Sequence, residues 1–203
     1  MSLSNPLVIS TAYLPDLAYL QAVLQADEVH IEQFEYFEKQ TFRNRTHVLT
    51  SNGKQLLSIP LVKGDDKNII KDKRISYAEA WQKQHWRTIT SSYKNSPYFE
   101  FFEDDLKLFY EQRVDLLLDY NTALLQAILN ILRKKIAIEF TAEYHETTTS
   151  ILDLRNDKFQ EVNQAVYKTP YYQVFEDKFE FTSQLSCLDT LFNVGLETLD
   201  ICE

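Results

Sequence analysis

A chain of 203 residues with 44% hydrophobic and 13% aromatic content is long enough for one substantial core, and we expect a single domain over residues 1–203. Its three glycines, Gly53, Gly64 and Gly195, are scattered, which excludes a Walker A loop or a dinucleotide-binding turn, since both need clustered glycines to bring backbone N–H groups onto phosphate. The formal charge of -9 argues against general nucleic-acid binding, but it is unevenly spread: residues 39–95 carry twelve Lys/Arg against four acids, a basic middle in an acidic protein.

The opening residues have neither the basic start nor the apolar core of a signal peptide. The best apolar run, Leu124–Leu132, is too short to span a bilayer, so a cytoplasmic protein without a membrane span is expected. Leu7-Val8-Ile9-Ser10 has the continuous apolar character of a strand buried on both faces. Pro15 and Asp16 then suit a helix start, and Leu17, Leu20 and Leu24 give that helix its apolar face. Glu28–Glu32 alternates with Val29 and Ile31 on one side, so the opening predicts a βαβ unit. Ligands gather at strand carboxyl ends in such units, here the Thr11–Pro15 loop and the segment after Glu32.

Two strands flanking Asn52-Gly53 predict an antiparallel hairpin over about 45–62. A polar stretch Lys63–Asn68 and a short strand near Lys73–Ser76 follow. Trp81, His85, Ile89 and Tyr93 recur every four residues, forming one drifting helical stripe that must face something other than water. Ser96-Pro97 predicts a second helix, capped by Ser96 and running to about Gln112, with Phe101, Phe102, Leu106 and Phe109 inward. A third helix is expected over about Asp119–Lys135, then a strand at Ala137–Thr141 and an ordered polar arm over Glu143–Phe181. Ser186–Asn193 reads as a helix closed by Gly195. The expected fold is α/β: a mainly parallel sheet opened by the βαβ unit, with the hairpin and packing helices.

Lys39–Arg45 is the densest polar cluster. The rigid donor forks of Arg43 and Arg45, with Asn44 between them, suit phosphate or carboxylate, as an anion-binding loop requires. The alternative is a solvated loop whose arginines pair with the acidic first segment. His85 is the one histidine on a patterned helix. With Trp81 and Tyr93 as pocket walls it is the candidate acid or base, against the alternative of a core histidine bonded to a backbone carbonyl. Asn121 and Asn193 stand open as ligand contacts or backbone caps, and Tyr13 in the first loop is a candidate for the edge of the same cleft. Cys187 and Cys202 lack metal-ligand spacing and read as buried, reduced thiols; Asp65-Asp66 and Asp104-Asp105 read as solvated pairs. No metal and no cofactor is implied.

Six ordered pieces carry a resemblance. They are Ser10-Thr-Ala-Tyr-Leu-Pro15 with Tyr19, Ala26-Asp27-Glu-Val, Arg43-Asn44-Arg45, Ile59-Pro60-Leu-Val62, Trp81-x3-His85-x3-Ile89-x3-Tyr93-x3-Pro97-Tyr-Phe99, and Leu185-Ser-x-Leu-Asp189-x-Leu-Phe-Asn193-x-Gly195. Together they resemble the WbqC-like family of bacterial proteins. The resemblance implies a setting in surface-polysaccharide (O-antigen type) biosynthesis without a defined chemistry. Two functions follow from it: an enzyme acting on a nucleotide- or lipid-linked sugar, or a non-catalytic binding or scaffold protein of the same pathway. The expected partner is a phosphorylated or nucleotide sugar, with room for a protein partner. Many family members have a Gln-Pro pair where Ser10-Thr11-Ala12 stands, and a late Gly-rich stretch where this chain has Ile151–Arg155. The strand-loop-helix start is also similar to nucleotidyltransferases of the HIGH type, but Asp16-Leu-Ala-Tyr19 offers no histidine pair for phosphate.

Overall fold

A computed structural model describes residues 6–63, 68–145, 152–156 and 158–203. The Asp65-Asp66 pair and part of the expected polar arm lie outside them. Strand β1 (Leu7–Ile9) is buried at every position and lies between two parallel neighbours. Helix α1 (Leu17–Leu24) leads from it to β2 (Glu28–Ile31), in register Leu7 with Val29 and Ile9 with Ile31. Asp16 is the N-cap of α1 rather than part of its first turn: its Oδ1 accepts from the Tyr19 backbone N–H at 3.0 Å. Strand β5 (Ala137–Phe140) pairs with β2, and the two-residue β6 (Leu152–Asp153) pairs with β1, so the sheet order is β5-β2-β1-β6, all parallel. The chain therefore leaves β1 to both sides, and a crevice is expected at the carboxyl end of that strand.

The hairpin forms where expected, as β3 (Arg45–Thr50) and β4 (Gly53–Ser58), with Arg45 opposite Ser58 and His47 opposite Leu56. Gly53 takes a φ of +100° in the turn, a conformation that a side chain disfavours. Alternation puts Thr46, Val48 and Leu57 inward, leaving Arg45, His47, Lys54 and Leu56 on the outer face. The strand expected near Lys73–Ser76 is reduced to isolated bridges from Ile75 to Leu61 and from Arg74 to Leu116.

Helix α2 (Trp81–Tyr93) buries the four-residue stripe, and Trp81, His85, Ile89 and Tyr93 all enter the core. Ser96 closes this helix instead of opening the next, its hydroxyl donating to the Tyr93 carbonyl at 2.5 Å. Helix α3 (Phe99–Glu111) starts after Tyr98 without a side-chain cap. Phe101 corrects the expectation of an inward face: it is 74% exposed. The buried side is Phe99, Phe102, Leu106 and Tyr110, at spacings of three and four, so Phe101 falls on the opposite side with Leu108 seven residues on. Helix α4 (Leu117–Ile131) begins two residues before the expected start and ends before Arg133-Lys134-Lys135. A short α5 (Lys158–Val162) lies within the expected arm. Helix α6 (Cys187–Val194) is capped by Ser186, whose hydroxyl accepts from Leu188 N–H, and closed by Gly195 at φ +62°. Both cysteines are free and buried. Among the described residues no helix is long and apolar enough to cross a membrane.

Candidate functional site

Thr11 to Asp16 leaves β1 as an extended loop and meets residues 40–45, which run into β3. Tyr13 N–H donates to the Phe42 carbonyl at 3.0 Å, and Asn121 of α4 donates to both the Arg43 carbonyl (2.8 Å) and Thr11 Oγ1 (3.2 Å). Asn44 is held in turn, its Nδ2 donating to the Ile59 carbonyl at 2.8 Å. These bonds fix the backbone of the Arg43-Asn44-Arg45 triplet, and they send the two arginines to different places.

Arg43 points inward and is 1% exposed. It makes a bidentate pair with Glu35, Nε to Oε1 and Nη2 to Oε2, both at 2.8 Å, and reaches Ser10 Oγ and Asn156 Oδ1. The guanidinium is thus matched to an acid of the first segment, the second of the two alternatives open in the sequence. Beside it at the sheet's carboxyl end, Glu32 is wholly buried. It accepts from Phe34 N–H, Thr141 Oγ1 and His145 N–H, while Arg155 joins it to Asp153. This charged layer, apart from Arg43, was missed in the sequence because Glu32, Glu35 and Arg155 come from separate segments at no informative spacing.

Arg45 stays at the surface of the hairpin, bordering a cleft of about 690 Å³ that also holds Lys39, Asn44, Lys63 and Lys73. Among the described residues no carboxylate pairs with any of these four cations, and no acid lines the cleft. Two polar atoms of its lining residues, Arg45 Nε and Asn44 Oδ1, are enclosed without a hydrogen-bond partner. Lys73 is 8% exposed, with its ammonium 5.6 Å from the Phe37 ring centre. Four cations brought together with no counter-charge among the described residues raise the local potential, which suits a polyanionic group. Lys63 and Lys73 were not singled out from sequence; the only signal was their place in the basic middle.

His85 lies behind the hairpin. Its Nδ1 is 2.8 Å from Tyr13 Oη, which is 3.1 Å from Tyr110 Oη, and the ring also bonds the backbone of Ser58. The edge of Trp81 meets the imidazole at 5.1 Å between ring centres. Burial pushes the imidazole down to a pKa of about 4, so it is neutral at pH 7, and burial holds the Tyr13 phenol well above its ordinary value. Tyr13, Trp81 and His85 are therefore brought together, as are Arg43, Asn44, Arg45 and Asn121. Ser58, opposite Arg45 and on the wall of the basic cleft, connects the two groups. Tyr93 and Asn193 sit elsewhere, around α6: Tyr93 Oη accepts from Leu49 N–H and its ring packs on Phe192, and Asn193 Nδ2 donates to the Asp189 carbonyl.

A second cavity, of about 410 Å³, opens between the Ala12–Asp16 loop and the outer face of the hairpin. Asp16 projects into it with Oδ2 bonded by the Tyr167 hydroxyl at 2.5 Å, and burial raises this carboxyl above its usual value. Arg45 and Gln40 line both this cavity and the basic cleft, so the two adjoin at these residues.

An all-parallel four-stranded sheet and an antiparallel hairpin laid against its first loop, with a cationic cleft on the hairpin side, define an α/β protein. The chain belongs to the WbqC-like protein family, whose profile matches residues 11–174. It is also 26% identical over 226 residues to a Mycobacterium tuberculosis protein described only as uncharacterized, covering 95% of this chain and 95% of that one. No solved structure matches the chain.

Proposed function

We propose that this protein binds a phosphorylated sugar, nucleotide- or lipid-linked, and acts on it as a cytoplasmic enzyme of surface-polysaccharide (O-antigen type) assembly, the setting that the family's name suggests. The observation that carries the proposal is the convergence of Lys39, Arg45, Lys63 and Lys73 on one cleft that has no acid among its described lining residues. Arg45 donates to the phosphate and the lysines supply its counter-charge, while Asn44 holds the loop through its bond to the Ile59 carbonyl. Arg43, Asn121 and Tyr13 position the loop that presents Arg45. His85 holds Tyr13 and Ser58 in place and, being neutral, leaves the positive charge to the cleft.

A second reading, a non-catalytic binding or scaffold protein of the same pathway, has its own observation. Both thiols and the His85 imidazole are enclosed, and burial raises both thiol pKa values and lowers that of His85, so none is an activated nucleophile or a base poised near neutrality.

Thermal unfolding with nucleotide sugars and sugar phosphates tests ligand binding. A ligand at one hundred times its Kd stabilises by about 2.7 kcal/mol, and Arg45→Ala should abolish that rise while leaving the unliganded midpoint nearly unchanged. No rise with any phosphorylated sugar removes the first reading and leaves the scaffold.

A further inference from the structure

The 410 Å³ cavity beside the basic cleft is within the size range of small-molecule sites and has a wall chemistry of its own. Where the cleft holds no acid among its described lining residues, the cavity sets the Asp16 carboxylate opposite Lys54 and Arg45 and adds the side-chain amides of Gln40, Gln160 and Gln184. Asp16 is held firmly, by Tyr19 N–H on one oxygen and the Tyr167 hydroxyl on the other. Leu14, Gln40 and Gln184 are three of the five non-glycine residues with positive φ among the described residues, at +43°, +67° and +55°, and all three line this one cavity. Backbone held in sparsely populated conformations clusters where a ligand must be met, and for a residue such as leucine it persists only if the surroundings fix it.

We propose that this cavity holds the hexose ring of a sugar 1-phosphate whose phosphate lies in the adjoining basic cleft. Arg45 stands at the boundary of the two compartments and serves the phosphate from the sugar side. The inference rests on the phosphate reading given above and assigns the other half of the ligand. A hexose hydroxyl both donates and accepts, so it is matched by a carboxylate that accepts and by amides that do either.

The test is isothermal titration of the full chain with inorganic phosphate, free glucose, and a panel of hexose and N-acetylhexosamine 1-phosphates. Leu56→Trp fills the cavity from the exposed outer face of β4, where Leu56 is 44% exposed, and His47→Ala removes a side chain from the same wall. At least one hexose 1-phosphate should bind tenfold or more tightly than inorganic phosphate. Leu56→Trp should remove that advantage without changing phosphate affinity, and His47→Ala should reduce it. If every sugar phosphate binds within threefold of inorganic phosphate, or if the advantage survives Leu56→Trp in the folded variant, the cavity is not the hexose site while the basic cleft still stands. If inorganic phosphate and all sugar phosphates fail to bind, both the cleft reading and this one fall.

Discussion

Glu35 and Arg43 meet below the surface, where each carries a charge that water no longer solvates and that the other stabilises. Removing one partner of such a pair strands the other, at a cost of roughly 3–5 kcal/mol. Glu35→Gln should therefore lower unfolding stability by that order in a chemical denaturation series, whereas Arg45→Ala, on the outer hairpin face, should change it little. Two neighbouring arginines in one triplet thus separate into a structural and a surface role. That separation was not legible in Arg43-Asn44-Arg45, because which side chain turns inward depends on Glu35 and Ser10 arriving from other segments. His85 gives a pH signature. Its folded pKa, about 4, lies below the ordinary histidine value, so the unfolded chain binds the extra proton first on acidification. The stability it contributes is complete above pH ~6.5 and is lost as pH falls towards ~4. Half-buried Asp16 and buried Asp189, with raised pKa values, act in the opposite direction, so the comparison must be with His85→Gln. The stability gap between wild type and this variant should narrow by roughly 3 kcal/mol between pH 7 and pH 4. A gap that stays constant would mean that the ring titrates normally.

At the scale of elements, the two described glycines separate two kinds of constraint. Gly53 has φ +100° with nothing within 4 Å of where a Cβ would stand, so Gly53→Ala meets backbone strain alone. Gly195 closes α6 at φ +62°, and an added Cβ would come within 2.8 Å of the Tyr98 ring. Both substitutions should lower stability, Gly53→Ala by about 1–3 kcal/mol, and Gly195→Ala by more because strain and overlap add. Tyr98→Ala should recover part of the Gly195→Ala loss and none of the Gly53→Ala loss in a double-mutant cycle. Equal costs at both positions would show that the Tyr98 contact yields freely. The hairpin, the α6 helix and the α2 stripe were legible because each is set by local rules: a turn dipeptide, a cap, a spacing. The start of α3 was not. Ser96 followed by Pro97 satisfies a local rule for opening a helix, yet its hydroxyl found the nearer Tyr93 carbonyl, and Tyr98 N–H was taken by the Phe192 carbonyl of α6. Tertiary contacts decided between two local solutions.

At the scale of the whole molecule, the parallel sheet and the antiparallel hairpin were read correctly from β1, β2 and the Asn-Gly turn. The sheet order and the partition of the polar residues were not. Hydrophobic period reports which face of an element is buried but not which distant strand lies beside it. The two-residue β6 carries too little pattern to be seen at all, although it brings Asp153 and Arg155 to the charged layer. The candidate site was half legible for the same reason. The Arg43–Arg45 loop and the Thr11–Pro15 loop could be placed at one end of the sheet, because both follow from strand ends. Lys73 joins them only through pairing of its segment with α4 and the hairpin, its carbonyl accepting from Leu117 N–H and the Ile75 N–H bonding Asp115.

The sheet order also governs how the chain must fold in time. Leu7 is in register with Leu152, and Glu28 with Ala137, so β1 and β2 wait for partners that appear only after the hairpin and three helices have been synthesised. Pairings across so much sequence close large loops before they gain any stabilisation, which slows folding and leaves both edges of the β1–β2 pair open in the meantime. The acids of residues 1–38, Glu28, Glu32 and Glu35 among them, ride on or beside those strands. Glu35 has its partner Arg43 only eight residues on, whereas Glu32 must wait for Arg155, so its charge is neutralised only when the far end of that long loop has docked beside β1.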